Sequence, residues 1–181
     1  TVFSAVFSGI VSVYFLDKVY ESTTTLYVIK QIANENVQIA YNDLLFGQAL
    51  VKDYRELIKS RAVTREVLEQ LGLEKSVTAQ DLSDKISVSL KNDTRVLEIK
   101  VQDTDPVRAM NIANMVAAVF SRKVIEIMNA ENVQVIDRAE IPLAPVKPRP
   151  SLNMVIAAFI GFMAGLGLIL LIEYLDNTIK T

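Results

Sequence analysis

The chain has 181 residues, 51% of them hydrophobic, and a net charge of −2. That is room for one ordinary domain and a little more, with no basic surplus of the kind that neutralises nucleic-acid phosphates. There is no cysteine and no histidine, which excludes disulfides and thiolate or imidazole metal sites.

The charges are unevenly placed. Thr1 to Leu16 and Leu152 to Ile172 carry none, while Asp17 to Arg149 holds 18 of the 19 basic and 19 of the 21 acidic residues. Two uncharged apolar blocks around a charge-balanced middle read as a membrane hairpin. Residues 1–16 read as a first transmembrane helix that is truncated. A signal peptide would need a basic start and a small-x-small cleavage site, and the block has neither. The middle segment is too long for the positive-inside rule, so the pattern places both ends on one side without saying which.

Residues 17–140 read as one domain, on the opposite side of the membrane from both ends. Thr23 to Lys30 is β-branched and aromatic, as in a strand. From Val37 to Lys59 the pattern turns helical, with one apolar stripe through Val37, Tyr41, Leu44, Leu45, Val51 and Ile58. A second runs through Phe46, Leu50, Tyr54 and Leu57. Ser60 caps a helix over Arg61 to Leu71 that Gly72 stops, and Thr78 caps a short turn through Asp84. Ile86, Val88 and Leu90, then Leu97, Ile99 and Val101, alternate with more polar neighbours about a turn at Lys91–Thr94, which predicts a hairpin with one buried face.

Asp105 followed by Pro106 opens a helix to about Met128. Ala109, Ala113, Val116, Phe120, Val124 and Ile127 line one side of it, widened by Ile112, Met115 and Val119. Val133 to Arg138 reads as the last strand. Residues 141–151 form a proline-rich tether in which Pro142, Pro145, Pro148 and Pro150 favour a stiff extended chain. The uncharged run 152–172 then spans roughly 31 Å as a helix, the thickness of a bilayer core, and 173–181 begins a tail.

The order β-α-α-β-β-α-β predicts an α+β domain, ferredoxin-like with an extra helix in the first crossover, between two transmembrane helices. Both long helices are apolar over more than one face, which predicts a homo-oligomer in which a second copy covers what the sheet does not.

Few residues invite chemistry. Gly161-x-x-x-Gly165 with Gly167 either lets two membrane helices approach closely or reflects the ordinary glycine content of such helices. Asp103-x-Asp105 reads as helix capping ahead of Pro106, not as a metal or sugar-nucleotide site. Asn92-Asp93-Thr94 matches a glycosylation sequon and reads as the hairpin turn. Lys147 and Arg149 read as interfacial anchors. No nucleophile–base pair and no glycine-rich phosphate loop occurs in the sequence. The expectation is a non-enzyme without cofactor or metal.

Four segments in this order resemble a known family. YESTTTLYV (Tyr20–Val28) follows an apolar block, and DTDPVRAMNIAN (Asp103–Asn114) opens a helix. AEIPLAPVKPRP (Ala139–Pro150) precedes the second apolar block, and EYLDNTIKT (Glu173–Thr181) follows it. Together they resemble the chain-length determinants, Wzz-type polysaccharide co-polymerases, and within them the short capsule and exopolysaccharide branch of tyrosine-kinase modulators.

The resemblance implies cytoplasmic termini in the bacterial inner membrane, an extracytoplasmic α+β domain over residues 17–140, and a ring of several subunits, commonly eight, around a space for a polysaccharide polymerase. It also implies a tail, here Glu173, Tyr174, Asp176 and Asn177, that engages a cytoplasmic tyrosine kinase. Two other readings stay open: the membrane part of a fused tyrosine kinase, and an extracytoplasmic sensor domain.

Overall fold

A computed structural model describes residues 2–14, 16–28, 52–91, 94, 96–128 and 133–175. The chain divides into two units, one made of Thr1–Lys18 with Val146–Thr181 and the other of Val19–Pro145.

The first unit holds helix α1 (Val2–Tyr14) and helix α6 (Pro150–Leu175), which pack on each other. Within α6, Pro150–Leu171 is long and apolar enough to cross a membrane, with a mean hydropathy of 2.6. Proline at the first helical position costs no intrahelical hydrogen bond, so the helix starts two residues before the uncharged run. Its 22 residues extend about 33 Å. The 13 described residues of α1 extend about 20 Å, short of a bilayer core. Tyr14 and Tyr174, near the ends of the two helices, are both exposed.

The second unit is α+β. Strand β1 (Tyr20–Val28) is followed by a helical stretch at 52–58, here α2, and by α3 (Arg61–Leu71) and α4 (Ala79–Lys85). Then come β2 (Ile86–Leu90), β3 (Val96–Asp103), α5 (Pro106–Met128) and β4 (Val133–Asp137). The four strands form one sheet in the order β2-β3-β1-β4, antiparallel at every junction. The expected strand at Thr23–Lys30 begins three residues earlier, because Tyr20 finds a partner in Asp103. Of the long helix expected over Val37–Lys59, the part before residue 52 lies outside the described residues.

Local signals set the ends of the helices. The Ser60 hydroxyl accepts the Val63 N–H, and Gly72 ends α3 at a φ of 65°, a left-handed conformation that glycine adopts without strain. Thr78 and Asp81 form a reciprocal capping box on α4. The Asp105 carboxylate accepts the N–H groups of Val107 at 2.8 Å and Arg108 at 3.3 Å, which makes it the cap of α5.

The strand alternation is realised as well. Leu97, Ile99 and Val101 are buried on one face with Ile86 and Val88. The other face carries Glu98 and Lys100, paired at 3.4 Å. Helix α5 lies on β1, β3 and β4 and also meets α3. That second contact accounts for its wide apolar surface: Ile112, Val116, Val119 and Phe120 are all fully buried within the chain. Tyr54 and Ile58, expected on different stripes, are buried in the same core, where Tyr54 meets the Phe120 ring edge-on at 5.4 Å. The apolar breadth of α5 is therefore met by its own chain and does not of itself demand a second copy. Ile127, expected on the buried side, is 63% exposed one residue before α5 ends.

Candidate functional site

The end of the sheet where β1 starts and β3 and β4 stop collects the polar structure of the α+β unit. Its centre is Asp103, the last residue of β3, whose side chain is fully buried. One carboxylate oxygen accepts Arg108 Nε at 2.8 Å and the Asp105 N–H at 3.0 Å; the other accepts Lys85 Nζ at 2.9 Å. Burial opposes ionisation and is the largest single influence. The hydrogen bonds from Arg108, the Asp105 N–H and Lys85 together outweigh it and hold the carboxyl at about 2. Asp103 thus ties the end of α4, the end of β3 and the first turn of α5 together.

The second feature is the way the chain leaves β4. The β1–β4 register slips between Thr25 and Leu26, whose partners are Asp137 and Val135, so Ile136 is left without an opposite residue and is half exposed. Hydroxyls of β1 then hold the departing strand. Thr24 donates to the Asp137 carbonyl at 2.8 Å, Thr25 to the Asp137 carboxylate at 2.9 Å, and Ser22 to the Glu140 carbonyl at 2.6 Å. From α5, Asn114 makes a two-point clamp on Ala139: its amide donates to the Ala139 carbonyl at 2.9 Å, and its carbonyl accepts the Ala139 N–H at 2.8 Å. Beside this exit lies an open groove of about 600 Å³ lined by Glu21, Thr23, Arg138 and Ile141 among others.

In the sequence Asn114 and the β1 hydroxyls stand out only as members of the segments Asp103–Asn114 and Tyr20–Val28, with no role attached to them. The signal was present: an amide within the apolar breadth of α5, and Ser22 and Thr24 at the core-facing positions that Leu26 continues. Such residues are buried only when their hydrogen bonds are met. The sequence offers Asp103 only as a helix cap; its buried position at the end of β3 gives it the larger part. Among the described residues no group of acidic side chains has the arrangement of a metal site.

The residues singled out beforehand are dispersed. Pro142 and Pro148 are half-buried, Pro145 is exposed, and Pro150 opens α6. Gly161, Gly165 and Gly167 lie along α6, where a Cβ built on Gly165 or Gly167 would meet nothing within 4 Å. The close approach of the two helices falls elsewhere. A Cβ on Gly9 of α1 would lie 2.9 Å from the Met154 sulfur. Ser8 donates to the Asn153 carbonyl at 3.3 Å, and the Asn153 amide donates to the Ser12 hydroxyl at 2.9 Å. Glu173 and Tyr174 are in the last turn of α6, and Asp176 and Asn177 fall outside the described residues.

Comparison with known proteins gives these features a setting. Residues 1–71 match the family of chain length determinant proteins, and residues 112–173 match the G-rich domain on putative tyrosine kinase. The chain is 39% identical to a probable capsular polysaccharide biosynthesis protein, YwqC, of Bacillus subtilis, over 96% of its own length and 69% of the relative's. It is 34% identical to the capsular polysaccharide biosynthesis protein CpsC of Streptococcus pneumoniae, over 93% and 73%. It is 31% identical to the capsular polysaccharide biosynthesis protein CapA of Staphylococcus aureus, over 94% and 77%. Similarity at this level, running through α1, the α+β unit and α6 alike, places the chain in the Wzz-type chain-length determinant family.

Proposed function

We propose that the chain is a non-catalytic polysaccharide co-polymerase, a chain-length regulator for capsular or exopolysaccharide synthesis. The observation that carries this reading is the similarity over nearly the whole chain to proteins named for capsular polysaccharide biosynthesis. In this reading α1 and α6 both cross the bacterial inner membrane, with the termini in the cytoplasm and the α+β unit outside. The sheet order β2-β3-β1-β4, with β1 central and antiparallel to both β3 and β4 across helical connections, supports a ferredoxin-like domain. Copies of the chain assemble in a ring of about eight around the polymerase, and Gly161, Gly165 and Gly167 provide a surface on α6 where a further helix packs. The prolines at 142, 145, 148 and 150 couple the outer domain to α6, and the tail from Glu173 onward engages a cytoplasmic tyrosine kinase.

The description of the family matched at 112–173 names a tyrosine kinase, and that favours a second reading in which this is the membrane part of a fused kinase. A phosphate-binding loop of the form GxxxxGK[ST] in the gene after Thr181 would decide for fusion. The kinase connection is tested by removing residues 173–181 and measuring kinase tyrosine phosphorylation in cells. The reading expects phosphorylation to fall; an unchanged level would rule out engagement through this tail. The amount of surface polysaccharide in a strain lacking the gene tests the wider role. A loss that complementation restores is expected, whereas an unaltered strain would bring the sensor reading forward.

A further inference from the structure

Both covalent connections out of the α+β unit leave from one end of its sheet. Strand β1 starts there, opposite Asp103 at the end of β3, and the chain after β4 runs back along β1 until Glu140 meets Ser22. At that end the fold leaves large apolar side chains exposed: Leu143 is 101% exposed, Ile141 49% and Val107, in the first turn of α5, 46%. Their display is built, not loose. Asn114 and Ser22 fix the backbone at Ala139 and Glu140, and Pro142 and Pro145 restrict the chain on either side of Leu143. Six residues then lie between Leu143 and Pro150, so the covalent chain alone holds Leu143 within about 25 Å of the start of α6.

Resting on the membrane placement proposed above, we propose that this end of the α+β unit is a lipid-binding foot: Leu143 and Ile141 insert into the interfacial layer of the bilayer that α6 crosses. The occupant is the phospholipid surface. Apolar side chains tethered by so short a stretch of chain to the start of a membrane helix are within reach of the bilayer surface, and apolar side chains at that depth partition into the headgroup–acyl boundary. Exposed Lys147 and Arg149, next along the chain, supply cations at phosphate depth. Insertion is shallow, because exposed Glu140 adjoins Ile141 and a carboxylate does not enter hydrocarbon. The foot gives the outer domain a footing on the bilayer separate from its tether.

The absence of cysteine from the chain makes the test direct. Leu143→Cys, Ile141→Cys, Lys91→Cys in the hairpin at the opposite end of the sheet, and Ile160→Cys in α6 are each labelled with an environment-sensitive fluorophore. Each full chain is reconstituted in vesicles of mixed zwitterionic and anionic phospholipid. Labels at 143 and 141 are expected to emit to the blue of the label at 91, to be quenched by lipids spin-labelled near the headgroup, and to resist aqueous iodide. The label at 160 should be quenched by lipids spin-labelled deep in the acyl chain. If 160 behaves so while 143 and 141 are quenched by iodide like 91, the foot is overturned and the membrane placement stands. If 143 and 141 resist both iodide and spin-labelled lipid, protein covers them and the foot is again overturned. If 160 itself is open to iodide, the membrane placement fails and takes the foot with it.

Discussion

Asp103 joins three elements through one buried carboxylate. Its carboxyl is held at about 2, below the ordinary 3.8, so the folded protein binds its proton less tightly than the unfolded chain does. The stabilisation is therefore complete above pH 3.8 and is lost as the pH falls from there towards 2. At 1.36 kcal/mol per unit it amounts to roughly 2 kcal/mol. Asp103→Asn should lower stability at neutral pH by about 2–3 kcal/mol, moderated because Lys85 and Arg108 are each 35% exposed and can turn to water. It should also flatten the acid limb, and thermal unfolding of the detergent-solubilised chain across pH 2–6 reads both effects. Asn114→Ala removes both halves of the Ala139 clamp and should cost about 1–2 kcal/mol. Cleavage between Ala139 and Pro150 in limited proteolysis should rise with it; an unchanged cleavage rate would mean that Ser22 and Thr24 suffice to hold the chain.

At the scale of elements, the legible parts were those written in local chemistry. Ser60 and Gly72 bound α3, Thr78 starts α4, Asp105 and Pro106 start α5, and the alternation through Ile86–Leu90 and Leu97–Val101 sets the hairpin with the buried face expected of it. Less legible was what each apolar face meets. Periodicity reports that Val119 and Ile112 are apolar, not that α5 meets α3 as well as the sheet, so from sequence the breadth of α5 reads as an unfilled surface. The exit from β4 was illegible for the same reason, since Ser22 and Asn114 are far apart in sequence and act on a common segment. The glycine spacing of α6 points to packing against a further helix, whereas within the α1–α6 pair the narrow gap is at Gly9. A Cβ there meets only the flexible thioether of Met154, which can shift. Gly9→Ala should therefore leave the α1–α6 contact in place, and Gly9→Ile should disrupt it. The rate of disulfide formation between Ser8→Cys and Asn153→Cys in each background measures the difference, and equal rates would mean that α1 does not approach α6 at this point.

For the whole molecule, an α+β unit is tied at one end of its sheet to two apolar helices, and the proposed role is that of a scaffold. Assembly and length control are the properties to test. Gly165→Leu should leave the single chain folded, since nothing lies within 4 Å of the position. If another copy's helix packs there, the variant should sediment as a smaller species than the native chain in the same detergent; identical sedimentation would remove α6's glycines from the interface. The most direct measurement of all is the size distribution of the surface polysaccharide in a strain lacking this gene, set beside the same strain carrying the native chain. A chain-length regulator should be recognised by a modal polymer length that shifts on deletion and returns on complementation. A distribution with the same mode and width in both strains would contradict that role.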